Sequence, residues 1–114
     1  MSCCGEFNLD EMQEQVAGWA EYNFGSPLKP DEQFLGLTEE LGELAHARLK
    51  RLQGIRGTKE EHDAAERDAV GDIAVFLMNY CSSRGESLAT IIQEVWKVIQ
   101  HRDFKKFPKN GLTE

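Results

Sequence analysis

Strand signals are almost absent from this chain of 114 residues, which leaves helices as its building material. Basic residues are also scarce: 13 Lys and Arg stand against 20 acids, a formal net charge of -7. That balance gives non-specific nucleic-acid binding no support across the whole surface, so no nucleic-acid partner is expected, although a local basic cluster can still hold a small phosphate ligand. No run approaches the ~18 apolar residues of a membrane span, so no membrane partner is expected either. The start, Met-Ser-Cys-Cys-Gly-Glu, lacks a basic region followed by an apolar one, so no signal peptide and a cytoplasmic location are expected. Cysteine is limited to three, an odd number that makes no disulfide framework. Cys3 and Cys4 adjoin in a stretch, 1–7, expected to be flexible, and Cys81 lies in an apolar helical run. A metal role for Cys3 and Cys4 would need partners the sequence does not supply. Internal repeats and low-complexity tracts are missing, so a single domain spanning 1–114 is expected.

What is present is helical punctuation. Asn8, with Glu11 three residues on, predicts an N-cap with its capping-box partner. Met12, Val16, Trp19 or Ala20, and then Asn23-Phe24 follow at helical spacing until Gly25-Ser-Pro27 stops the helix. Pro30-Asp31 opens a second helix, striped by Phe34, Leu37, Leu41, Leu44, Ala45, Leu49 and Leu52 and ending near Gly54. Thr58 and Glu61 form another capping box, starting a helix that should reach about Arg84, with Gly85 as its cap. Ser87 caps the fourth, whose stripe runs Leu88, Ile91, Ile92, Val95, Trp96, Ile99 and on to Phe104, before Pro108, Asn110 and Gly111 end it. Four helices with short connections predict an all-α four-helix bundle.

Acids interrupt the apolar stripes at two places. Leu37-Thr-Glu39-Glu40-Leu41-Gly-Glu43-Leu44 interleaves carboxylates with core-type residues, and Asp68-Ala-Val70-Gly71-Asp72 precedes the run Ile-Ala-Val-Phe-Leu-Met. Residues three or four apart share a helix face, so Glu40 and Glu43 project together, as do Asp68 and Asp72. Glu39 is rotated by about 100° towards their flank. If the second and third helices pack as antiparallel neighbours, the pairs meet. A buried carboxylate without compensation is costly, and an all-oxygen site without His or Cys suits Mg²⁺ or Mn²⁺ carrying substrate phosphates. The plainer account is a solvated face on which Glu39, Glu40 and Glu43 pair with Arg48, Lys50 and Arg51. Gly36, Gly42 and Gly71 speak against it, because each weakens its helix by about 1 kcal/mol and implies close approach or room for a ligand.

These residues resemble a family. Glu39-Glu40-Leu-Gly-Glu43 matches the E-E-x-x-E motif of the MazG-like, all-α nucleoside triphosphate pyrophosphohydrolases, and Gly71-Asp72 with its apolar run matches the end of their E-x-x-D motif. The similarity extends from about Trp19 through Lys97 and Arg102. One position departs: Ala69 stands where the motif has glutamate, and Asp68 is the nearest acid. The resemblance implies hydrolysis of a nucleoside triphosphate to monophosphate and pyrophosphate, with Mg²⁺ held by Glu40, Glu43, Asp68 and Asp72. Glu39, Glu40, Glu43 and Asp72 would form the catalytic set, Glu39 either positioning the attacking water or merely flanking it. It also implies a homodimer or homotetramer and a housecleaning role. If Asp68 replaces the family glutamate, Asp68→Ala should weaken metal affinity, and Ala69→Glu should be tolerated or partly rescue it.

Four further residues are candidate substrate contacts. Lys97 and Arg102, in a basic cluster with His101, Lys105, Lys106 and Lys109, suit the β- and γ-phosphates, or simply complement a helix C-terminus. Trp19 can stack on a base or serve the core, and Asn79, seven residues beyond Asp72, can reach sugar or base. His46 and His62 read as surface or loop residues. Glu43 with His46 touches the Glu-x-x-His pattern of di-metal carboxylate bundles, but the partner helix has no second copy. The remaining alternative is a catalytically idle helical module that binds metal, nucleotide or a protein.

Overall fold

The computed structural model describes residues 6–113. The expectations for Cys3, Cys4 and most of the 1–7 stretch therefore lie outside the described residues. Four helices, α1 (Leu9–Phe24), α2 (Pro30–Gln53), α3 (Lys59–Ser83) and α4 (Leu88–Ile99), account for the regular structure, and no strand occurs among the described residues. The chain is all-α and consistent with a four-helix bundle. None of these helices is long and apolar enough to cross a membrane.

Local chemistry sets the boundaries. Asn8 Oδ1 accepts from the Glu11 amide at 2.9 Å, which caps α1. Glu11 does not close the expected box, whereas Thr58 and Glu61 form both halves of theirs at the start of α3. Gly54 ends α2 in the left-handed conformation (φ 70°), where a side chain would be strained. Ser87 Oγ accepts from the Thr90 amide and opens α4. That helix is shorter than the stripe predicts. It stops at Ile99, and residues 101–113 fold back as turns, with the Asp103 amide donating to Gly111 O at 2.7 Å. Asp103 Oδ1 accepts from the Lys105 and Lys106 amides, and this local satisfaction competes with helix continuation.

The dominant packing is between α2 and α3, which run antiparallel. Gly36 meets Phe76, Arg48 pairs with Glu66 at 3.4 Å and Arg51 with Asp63 at 3.0 Å, so partner numbers fall on one helix as they rise on the other. At the turn, His62 Nε2 lies 2.9 Å from Ile55 O and the residue is buried. It is therefore no surface histidine; it fastens the α2–α3 connection. α1 lies on α3, and α4 touches α1 and the far end of α3; α1 does not pack on α2, nor does α4. Gln13 locks this second junction. Its Nε2 donates to Ser82 Oγ and Glu86 O, and its Oε1 accepts from the Leu88 amide, so a buried carboxamide is fully used.

The resulting core is thin. Met78, Cys81 and Leu88 form its buried centre, flanked by partly buried Leu9, Val16, Val75, Leu77 and Ile91. Burial pushes the Cys81 thiol up in pKa, which suits an inert structural cysteine. Much of the apolar stripe of α4 faces solvent: Ile92, Val95, Trp96, Val98 and Ile99 are all about half exposed. The accessible surface is 8853 Å², where a compact monomer of 12.9 kDa exposes about 6,300 Å². The radius of gyration, 17.9 Å, likewise exceeds the ~13 Å of a compact chain this long.

Only one of the three glycines beside the acids marks a close approach. A Cβ on Gly36 would fall inside the Phe76 ring, whereas Gly42 and Gly71 have open space around them. Gly36→Ala should therefore destabilise the protein by about 1–3 kcal/mol through overpacking. Gly42→Ala should be neutral or stabilise it by up to about 1 kcal/mol. Chemical denaturation of the two variants checks this, and equal effects would contradict the packing described.

Candidate functional site

The gap between α1 and α2, floored by α3, is a cavity of about 220 Å³. Trp19 and Phe24 come from α1, Gln33 and Glu40 from α2, and Asp72, Phe76 and Asn79 from α3. The Trp19 and Phe24 rings meet edge to face, with centroids 5.6 Å apart. Trp19 is 56% exposed, so it is no core residue. Asn23 is spent locally, donating from Nδ2 to Trp19 O at 2.9 Å.

The register of the α2–α3 hairpin orders the cavity. With Gly36 opposite Phe76, Glu40 stands level with Asp72, and Gln33 level with Asn79. The acid pair and the carboxamide pair are each seven residues apart along their helices, two turns or about 10 Å. The missing side chain at Gly36 lets the Phe76 ring lie between the two levels.

Glu40 is a perturbed carboxylate. Burial first, then the Glu43 and Asp72 charges, a side-chain hydrogen bond with Glu43 and the Glu39 charge all raise its pKa above the ordinary value. Its Oε2 is buried without a hydrogen-bond partner. The cations that a solvated face would use are engaged elsewhere: Arg48 with Glu66, Arg51 with Asp63, and Lys50 Nζ with Gln53 Oε1 at 2.9 Å. The cluster thus concentrates negative charge with no basic side chain paired to it among the described residues. Its all-oxygen donors and the orphaned Oε2 fit a hard divalent cation. As placed, no three His, Cys, Asp or Glu side chains among the described residues converge on a single ion position.

The other candidates distribute unevenly. Asp72 is exposed rather than buried, a correction to the reading of its apolar context: the run behind it is half-buried until Met78. Glu43 is exposed and borders a neighbouring cavity with His46, Lys50 and Arg56. Glu39 and Asp68 are exposed, and Asp68 is not among the groups acting on Glu40. Ala69 is buried, so Ala69→Glu would force a carboxylate into the packed face of α3 rather than being tolerated. Lys97 occupies the last turn of α4, and the stem of Arg102 packs beneath Gly111 in the folded-back turn. α4 does not pack on α2, and neither cation is among the groups that act on Glu40.

Gln33, Val75 and Phe76 are among the cavity residues that sequence reasoning missed. The signal for Gln33 was available: it stands seven residues before Glu40 and therefore on the same helix face.

Compared with protein-family models, curated proteins and solved structures, the chain gives no match.

Glu40 generates a direct test. A carboxylate raised in the folded state penalises folding once it ionises, so the penalty is present at high pH and is lost as pH falls below the ordinary carboxylate range. In EDTA at pH 8, Glu40→Gln should melt higher than the parent protein, and the gap should close near pH 4. A melting scan showing Glu40→Gln less stable at pH 8 would contradict the crowding described.

Proposed function

We propose that the protein is a metal-dependent nucleoside triphosphate pyrophosphohydrolase, converting a (d)NTP to the monophosphate and pyrophosphate in nucleotide-pool housecleaning. The observation that carries this reading is the juxtaposition in one cavity of an uncompensated carboxylate level, Glu40 with Asp72, and an aromatic and carboxamide level two turns away. A nucleoside has this polarity, with a flat hydrogen-bonding base at one end and an anionic phosphate at the other. The motif resemblance supports the same chemistry.

In this account Glu40, Glu43 and Asp72 hold Mg²⁺, or Mn²⁺ in its place, with Asp68 as a further donor from α3. The cation would supply the positive charge that offsets the triphosphate and lowers the pKa of the attacking water. Without it the acids repel the substrate, so the requirement should be absolute. Glu39, exposed on the flank, would orient the attacking water or merely flank it. The water oxygen bonds to the α-phosphorus, the bond from that phosphorus to its bridging oxygen breaks, and pyrophosphate leaves. Trp19 offers a ring face to the base, and Asn79 its carboxamide.

Assembly is part of the proposal. The protomer exposes roughly 2,500 Å² more than a compact chain of its mass, within the range that an obligate interface covers. A second copy seated on the apolar stripe of α4 would cover it in a homodimer or homotetramer. Lys97 and Arg102 would then serve the acids of the neighbouring copy and meet the β- and γ-phosphates there. A catalytically idle binding module is the competing reading, favoured by the buried Ala69 where the motif has an acid.

Incubation with a nucleotide panel should release pyrophosphate with Mg²⁺ and none in excess EDTA; orthophosphate as sole product would refute the reaction. Glu43→Gln and Asp72→Asn should each lower turnover by roughly a hundredfold or more while remaining folded. Near-parental activity in either would remove it from the site. Sedimentation should give at least twice 12.9 kDa, and a fully active monomer would contradict the assembly.

A further inference from the structure

The carboxylates stand between two cavities. Glu40 and Asp72 border the first. Glu43, whose charge acts on Glu40, borders a second of about 430 Å³ that continues along the hairpin towards its turn. On α3, Glu61, Ala65, Asp68 and Asp72 follow at steps of four and three residues, so the wall of the second cavity shares a helix face with the acids. On α2, Lys50 stands seven residues past Glu43, two turns or about 10 Å further on. Lys50 and Arg56 bring to this second cavity the positive charge that the first lacks. Lys50 gives one proton to Gln53 Oε1 and keeps two more to donate. Glu61 borders the cavity too, but its Oε1 accepts from the Thr58 amide at 2.8 Å in the capping box.

Arg56 occupies a strained position. Among the described residues it is the one non-glycine at positive φ (62°), in a turn where Gly54 and Gly57 hold positive φ as well. A side chain strains the backbone there, and glycine would not. The residue is exposed, and the ion pairs among the described residues use Arg48, Arg51 and Arg84 instead. A long cation kept at a strained position beside a cavity points to a ligand that the cation meets. We infer that Arg56, with Lys50, binds the terminal phosphates of the substrate and selects nucleoside triphosphates over diphosphates. The inference rests on the hydrolase reading given above and deepens it. A nucleotide whose α-phosphate lies at Glu40, Glu43 and Asp72 runs on past Glu43 into the second cavity, where a guanidinium fork matches phosphate oxygens. The leaving pyrophosphate is then held by cations of the same chain as its bond to the α-phosphorus breaks. Lys97 and Arg102 would need a second copy to reach these phosphates, and Arg56 and Lys50 do not. A diphosphate has one phosphate fewer beyond the α-phosphorus and extends less far towards Arg56.

The experiment compares kcat/KM for the preferred deoxynucleoside triphosphate and the matching diphosphate, with Mg²⁺, in the parent protein and in Arg56→Gly, Arg56→Lys and Lys59→Ala. Glycine relieves the backbone, so Arg56→Gly should melt no lower than the parent. It should nevertheless lose roughly tenfold or more of the triphosphate-to-diphosphate ratio. Arg56→Lys keeps the charge and should retain more of that ratio. Lys59→Ala removes an equal charge beside the turn but outside this cavity, and should leave the ratio unchanged. Calorimetry with Mg²⁺ and inorganic pyrophosphate needs no turnover, and Arg56→Gly should bind roughly tenfold more weakly than the parent. A ratio and a pyrophosphate affinity unchanged in Arg56→Gly, or an equal loss in Lys59→Ala, would overturn the role of Arg56 while leaving the hydrolase standing. No hydrolysis of any nucleotide would remove the hydrolase reading and this one with it.

Discussion

Glu40 is held partly out of water beside Glu43, Asp72 and Glu39, with one oxygen unpaired and no basic side chain paired to it among the described residues. Like charges crowd in this way only when the backbone leaves them no alternative, and the α2–α3 hairpin is that constraint. His62 fastens its turn, two ion pairs fix its loop end, and Gly36 against Phe76 sets its middle. Exposed ion pairs such as Arg48 with Glu66 add little energy by themselves. Their larger effect is to occupy the arginines that would otherwise neutralise the acids. The same register that aligns Glu40 with Asp72 aligns Gln33 with Asn79, so one geometric choice builds both ends of the cavity.

The chain also leaves much apolar surface in water. A fold whose buried centre is Met78, Cys81 and Leu88 has little apolar burial to set against chain entropy, and α4 presents valine, isoleucine and tryptophan to water. Under the proposed assembly, covering that stripe with a second copy and delivering Lys97 and Arg102 to the acids would be two consequences of a single association. The net-acidic chain would then meet its anionic substrate with a basic edge drawn from a neighbour.

Helix boundaries were legible because capping is local chemistry. Asn8, Thr58, Ser87 and Gly54 each act within four residues, and each stands where the sequence places it. The end of α4 was not legible, because Asp103 recruits the Lys105 and Lys106 amides and Gly111 O closes a turn from eight residues away. Burial was harder to read. Apolar context placed Asp72 inside, but in a chain this open the run behind it is only half covered, and His62 proved buried because its partner is a loop carbonyl. Of the candidate site, Glu40 with Asp72 and Trp19 with Asn79 share one cavity, while Glu43 borders its neighbour. Gln33 went unseen because an isolated glutamine on an apolar stripe has the same appearance in sequence whether its carboxamide is satisfied, as at Gln13, or not.

The central claim is that the α2–α3 carboxylates are a cation site serving a nucleotide. Diffraction at the manganese absorption edge, from crystals grown with Mn²⁺ and a non-hydrolysable nucleotide, addresses it directly. The account predicts anomalous density beside Glu40, Glu43 and Asp72, with the base against Trp19 and Asn79. Manganese and nucleotide bound elsewhere, with Glu40 still unpaired, would contradict it.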